Sequence, residues 1–405
     1  MRLFYLALLL LCACRPEAAP IEATATADPE PGVRFYVNPT VTNQDAPYFA
    51  PIWEQWQAYV SERNYLGAES PYWQQDRITV PEYAYISLVM DFDHSYRQQR
   101  PLQCTLLGLI PVEGDFYLLK TMYTAPDTTA GATQLRHIAS VYAQQQADGS
   151  YRFCSGVQYH RAVHESVQVG EVEYLVHRDH TFDPAAAERM AAFNLEMATR
   201  FEMEPISYLY VVANNSTDLL ELMGLDFFGK SYQAVQSGGM ADPVNRIIYA
   251  GNNSEYYPHE VVHLYTGAQY RGQYHRWVDE GVATYFGGST GYDIEWHLQK
   301  LKAFLADNPD FRFGTLAEME KDIPNGEYTT DFRYVIGGYL MGQLYEREGM
   351  LGLAEALQAG SSDEAYYALL QEKLGIGEGE LESYMRAEMQ KLPEATEKEM
   401  VGWRY

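Results

Sequence analysis

Two histidines four residues apart, His259 and His263, bracket Glu260 in the stretch His259-Glu260-Val261-Val262-His263, and sixteen residues then separate His263 from Glu280. On a helix, residues at this spacing share one face, so both imidazoles can converge on a single ion. Glu260 sits one position round the helix, where a carboxylate can act as general base toward a water on that ion without being a ligand. Two His and one Glu leave a coordination position open, whereas structural zinc sites are closed by four protein ligands. The expected cofactor is Zn2+, which lowers the pKa of water from about 15.7 to about 7 and makes hydroxide available at neutral pH. The competing reading is a helix in which the histidines cap or pack and Glu260 is solvated.

With Trp277-Val278-Asp279-Glu280-Gly281-Val282-Ala283 following His259 to His263, the chain resembles the gluzincin (HExxH...E) zinc metallopeptidases, the group that includes thermolysin-like and aminopeptidase N-like enzymes. The second segment matches the W-x-x-E-G-x-A pattern of the aminopeptidase N-like members at every fixed position, and the resemblance implies that Glu280 is the third zinc ligand. The connection from His263 is slightly shorter than is usual in that family. Tyr334-Val335-Ile336-Gly337-Gly338 looks like the Y-x-x-G helix start that carries a catalytic tyrosine there, which implies that the Tyr334 phenol donates to an oxyanion. Packing is the other role open to Tyr334, one of 34 tyrosines, and Tyr328 and Tyr339 are rivals for the catalytic one. Gly238-Gly239-Met240-Ala241-Asp242 resembles the strand that holds a substrate amine, but Ala241 replaces the acidic partner and Asp242 is one place out. Endopeptidase action is therefore expected over aminopeptidase action; a Gly-rich turn is the alternative for this segment. Thr284 stands where thermolysin-like enzymes carry an Asp that orients a zinc-bound His, so that support must come from elsewhere.

The elements expected to carry these residues form an α+β chain. Glu171 to Val176 and Ile206 to Ala213 read as strands, Pro184 to Phe201 as a helix capped by Asp183, and Asn214 to Asp218 as the start of a short helix. A zinc helix pair and a helical C-terminal lobe follow, and the whole of 165–395 resembles the gluzincin domain. Before it, residues 34–164 read as an accessory domain: an amphipathic helix from Tyr48 to Arg63, then hairpins from Leu106 to Tyr123 and from Ile138 to Val157. On element order alone this part resembles the cone-like nuclear-transport-factor-like, or SnoaL-like, fold. Neither His160 with His164 nor His177 with His180 carries a Glu after its first histidine together with the downstream acid of the main site, and these read as surface residues. His275, between the zinc helices, is left outside the ligand set. Asp279 is expected to point away from the metal and to brace an Arg such as Arg276.

At 405 residues and 47% hydrophobic the chain exceeds one ordinary domain. Residues 1–13, with the apolar run Leu3 to Leu11, read as an export signal. Leu11-Cys12-Ala13-Cys14 resembles a bacterial lipobox, which implies lipidation of Cys14 and a protein tethered to the cell envelope; a plain secretory signal is the alternative. Residues 14–33, rich in Pro, Ala, Glu and Thr, read as a disordered linker. Cys104 and Cys154 remain as a possible disulfide or as two buried thiols. A net charge of −26 without a basic cluster disfavours nucleic acid. The expected function is a zinc-dependent metallopeptidase, an endopeptidase acting on peptide or protein substrates at the membrane through its N-terminal lipid anchor. The alternative is a non-catalytic surface lipoprotein that binds peptide, glycan or a partner protein through the same cleft.

Overall fold

The computed structural model describes residues 33–62, 71–74, 102–127, 132–228, 238–270, 272–320, 322–323 and 330–393. The expected signal, Cys14 and nearly all of the linker, as well as Tyr328, lie outside the described residues. The chain is α+β. Strand β1 (Val33–Val37) runs parallel to β2 (Leu102–Pro111), and helix α1 (Phe49–Glu62) lies between them in sequence. Buried Phe49, Ile52, Trp53, Trp56, Tyr59 and Val60 form the helical stripe that fixes α1 on this sheet. Each such side chain contributes roughly 1.5–3 kcal/mol by leaving water. Strands β3 (Phe116–Asp127), β4 (Ala132–Gln145) and β5 (Tyr151–Cys154) continue the sheet antiparallel.

No disulfide joins Cys104 and Cys154. They sit on β2 and β5, with β3 and β4 between, and three strand spacings of about 4.8 Å put about 14 Å between them along the sheet, against roughly 7 Å for a bridge. Each thiol packs in a different apolar cluster. The expected strand to Val157 ends early, because Ser155 and Gln158 form a reciprocal capping box that starts α2 (Gly156–Val163).

Strands β6 (Val167–Val169) and β7 (Val172–Val176) lead to α3 (Pro184–Arg200), β8 (Tyr208–Val212), α4 (Ser216–Met223) and β9 (Leu225–Phe228). β9 returns to the first sheet and pairs with β4. The Gly-rich segment is a strand, β10 (Gly238–Asp242), at the edge of a second sheet beside β11 (Ile247–Gly251), in the order β10-β11-β8-β7-β6. β7, β8 and β11 are mutually parallel, and every residue of β8 and β11 is buried. Such strands must be covered on both faces. Tyr210, Val212, Ile248 and Ala250 join the large core, while Leu209, Val211, Ile247 and Tyr249 face α4.

From β11 the chain enters α5 (Pro258–Tyr270), α6 (Arg276–Gly287) and α7 (Ile294–Asp307). A two-stranded ribbon, β12 (Asp322–Ile323) with β13 (Thr330–Asp331), precedes α8 (Phe332–Glu348), α9 (Met350–Gln358), α10 (Asp363–Leu374) and α11 (Leu381–Lys391). α6 and α8 approach backbone to backbone: a Cβ on Gly281 would lie 2.6 Å from the Gly337 carbonyl, and one on Gly337 would lie 2.7 Å from the Trp277 carbonyl oxygen. The two glycines of the sequence motifs thus face each other, and their missing side chains let the helices that bear Glu280 and Tyr334 meet.

Candidate metal centre

His259, Glu260 and His263 lie in the first two turns of α5, and Glu280 lies in the second turn of α6. His259 Nε2 is 3.2 Å from His263 Nε2 and 3.2 Å from Glu280 Oε2, and His263 Nε2 is 3.6 Å from the same oxygen. Each residue of this trio offers one ligand atom within 4.8 Å of the others. Edges of a tetrahedron with bonds near 2.0–2.1 Å measure about 3.3–3.4 Å, so the three separations suit one small divalent ion.

The ring tautomers follow from what lies behind each imidazole. His259 Nδ1 is 2.7 Å from the Gly288 carbonyl oxygen, which can only accept, so the proton is on Nδ1. His263 Nδ1 is 3.0 Å from Asp279 Oδ2, with the same consequence. Both Nε2 lone pairs therefore point at each other and at a carboxylate, a repulsive set unless a cation or proton lies among them. The residues fit a zinc ion.

Asp279 departs from expectation. The turn of about 100° from Glu280 does take it off the metal, but α5 brings the rear nitrogen of His263 to that position, and Thr266 Oγ1 donates to the other carboxylate oxygen at 2.7 Å. Arg276 reaches Glu320 at 3.2 Å and Glu280 at 3.9 Å instead. The support that Thr284 cannot give is supplied by Asp279 and by a carbonyl. Thr284 is fully buried, and its hydroxyl finds no partner among the described residues. His297 was not singled out from the sequence; it is fully buried and donates from Nε2 to Ser289 O at 2.9 Å, holding the turn that presents Gly288. Burial pushes its pKa down to about 4, so it is neutral.

Electrostatics concentrate on the same groups. At His263 burial disfavours the charged ring, but the Asp279 and Glu280 carboxylates outweigh it and hold its pKa well above the ordinary value. Burial pushes Glu280 up, yet the two imidazoles that face it outweigh this and hold it well below the usual carboxylate range. Glu260 is 5% exposed, at the start of α5.

Tyr334 lies at the site, its ring 5.6 Å from that of His259, and Tyr257 lies against the same His259 ring at 6.4 Å. Burial, then the charge of Glu280, pushes the Tyr334 phenol up, so it stays protonated and able to donate. Tyr339 turns away to Glu388, 2.7 Å from its hydroxyl. Asp242 accepts from Val244 N, Asn245 N and Asn245 Nδ2 at the β10–β11 turn, which commits it to the hairpin and not to an amine. His275 caps α6 through Trp277 N and reaches Asp363 at 3.0 Å, a structural role. His177 and His180 are not surface residues: His177 is 3% exposed, and the His180 side chain is buried against Glu255. They lie inside because the carboxyl ends of β7, β8 and β11 converge there.

No protein-family model, curated protein or solved structure matches the chain.

Proposed function

We propose that the chain is a zinc-dependent metallopeptidase of gluzincin type, an endopeptidase tethered to the bacterial envelope through lipidated Cys14. The observation that carries this reading is the convergence of His259 Nε2, His263 Nε2 and Glu280 Oε2 beside a buried Glu260. His259, His263 and Glu280 would hold the ion, which when bound supplies Lewis acidity toward a substrate carbonyl and toward water. Glu260 takes the proton of the attacking water and passes it to the leaving amine. The Tyr334 phenol donates to the oxyanion that forms as water adds, a contact worth about a hundredfold to a thousandfold in rate. Trp277, 1% exposed, anchors α6 so that Glu280 meets the histidines of α5. The commitment of Asp242 to its turn and the Ala at position 241 favour cleavage within a peptide over recognition of a free amine.

Zinc content by elemental analysis, paired with cleavage of a diverse peptide library with and without chelator, tests this. Wild type is expected to bind one equivalent and to cleave; E260Q should keep the metal and lose turnover, and Y334F should keep the metal and lose about a hundredfold or more in kcat. Unchanged turnover in E260Q removes the proposed base. A protein that holds zinc but cleaves nothing is a binding lipoprotein and not a peptidase.

A further inference from the structure

The second residue of α8, Arg333, is 6% exposed, and its Nε is buried without a hydrogen-bond partner among the described residues. Its acidic neighbours are Glu320, Glu280 and Asp331, and it shares a hydrogen bond with the Tyr334 hydroxyl. One terminal nitrogen is 3.6 Å from Glu320 Oε2, too long for a hydrogen bond, and the guanidinium carbon lies 4.9 Å from the centre of the Tyr334 ring. Arg276 competes for the same Glu320 oxygen at 3.2 Å. Elsewhere the chain satisfies a guanidinium fully: Arg161 grips both oxygens of Glu173 at 2.7 and 2.6 Å. A guanidinium has five donors in a planar fork, and leaving its Nε buried and unpaired is costly, so such a group suits a place where an anion arrives to complete it.

We propose that Arg333, assisted by Arg276, receives a carboxylate of the substrate. The inference rests on the reading of the site as a peptidase, and it makes the substrate class one that carries an acidic side chain or a free C-terminal carboxylate near the bond cleaved. The Tyr334 ring is 5.6 Å from the His259 ring and 4.9 Å from the Arg333 guanidinium carbon, so that carbon lies at most 10.5 Å from the His259 ring, about the reach of three extended residues. Arg276 and Arg333 share Glu320, so the two guanidiniums carry more donors than that one carboxylate can fill.

The test is binding to the zinc-loaded E260Q chain, which does not consume its ligand. The probes are a short N-acetylated alanine and phenylalanine peptide made as the C-terminal acid and as the amide, and the amide again with glutamate or with glutamine beside the phenylalanine. The acid or the glutamate form is expected to bind about tenfold to a hundredfold tighter than its neutral counterpart, as suits a charge-assisted bidentate contact. The form that gains identifies the source of the carboxylate. In the E260Q background, R333Q should abolish the difference while zinc content stays the same, and R333K should restore part of it. Equal binding of all four peptides, or none, overturns the clamp, and because that comparison uses no change at Arg333 it holds even where R333Q does not fold. Cleavage by wild type without preference for a carboxylate sinks the clamp and leaves the peptidase. Carboxylate-dependent binding without any cleavage leaves the clamp and sinks the peptidase.

Discussion

At His263 the same imidazole is asked to present a lone pair on one side and to be held on the other, and Asp279 does the holding at 3.0 Å. A carboxylate behind a ligating imidazole fixes the tautomer and raises ligand basicity, and removing such a partner typically costs tenfold to a hundredfold in metal affinity. Asp279→Ala is therefore expected to weaken zinc binding by about that factor in chelator competition, while Asp279→Asn, which still accepts from Nδ1, should lose less. Equal affinity in wild type and Asp279→Ala would remove the role. The candidate ligands were legible in the sequence because their geometry is local: four residues along a helix is one face. That Asp279 turns off the metal was legible, but its partner was not, because it depends on how α5 and α6 cross, and no spacing along one helix records that. The Gly288 carbonyl that orients His259 was invisible for a simpler reason, being backbone.

Between elements, the contact that matters most for the site is that of Gly281 with Gly337. An alanine in a helix is ordinarily about 1 kcal/mol better than glycine. At Gly337 a Cβ would meet the Trp277 carbonyl oxygen at 2.7 Å, a backbone atom that cannot rotate away. Overpacking of this kind costs about 1–3 kcal/mol, so Gly337→Ala should lower the melting temperature and, by prising α8 from α6, reduce kcat more than zinc content. A stabilised Gly337→Ala would show that the helices do not touch as described. Gly281 and Gly337 were legible as residues, but the close approach of α6 to α8 that requires them was not. Helix α2 was legible and overlooked: Ser155 and Gln158 spell a capping box, but the apolar residues Tyr151 to Val157 read as one strand. β9 was not legible at all, since its register with His137 to Ala139 joins residues nearly ninety apart.

Over the whole molecule, His180 ties together the loops that follow β7, β8 and β11. Its ring is 2.8 Å from Glu255 Oε1, 2.9 Å from Asn214 Oδ1 and 3.2 Å from Asn253 Oδ1, just ahead of α5. Burial alone lowers the pKa of His180, but the hydrogen bonds and charge of Glu255, with those of Asn214, outweigh it and the net shift is upward. The fold thus binds the proton: the stabilisation is complete below the ordinary value near 6.5 and is lost as pH rises through the raised one. Melting temperatures of wild type and His180→Gln, both metal-free, should differ most below about pH 6.5 and converge as pH rises through the raised value. A gap that does not change with pH would place the pair outside the titration.

The expected boundary between residues 164 and 165 meets a second constraint, because elements from each side complete the other. Val157 of α2 is buried with Leu209, Leu219 and Leu222, and a Cβ on Gly156 would lie 2.4 Å from the Leu222 carbonyl oxygen. In return Leu225 of β9 enters the core of the first sheet, Gly224 O accepts from Ser140 N at 2.7 Å, and Asp226 pairs with Lys120 at 3.1 Å. A chain that starts at Glu165 would uncover Leu225, leave the β9 ladder unpaired and open the apolar surface that Val157 covers. At roughly 1.5–3 kcal/mol for each large apolar side chain left in water, that is on the order of 3–6 kcal/mol, a large part of the stability of an ordinary domain. The intact protein should therefore unfold in one calorimetric transition. The truncated chain should melt roughly ten degrees lower or fail to fold, although every candidate zinc ligand is still in it. Two separate transitions in the full chain, or a truncated form that melts with the parent and binds zinc equally, would show that the exchange of β9 and α2 contributes little and that the metal centre stands on the second sheet and its helices alone.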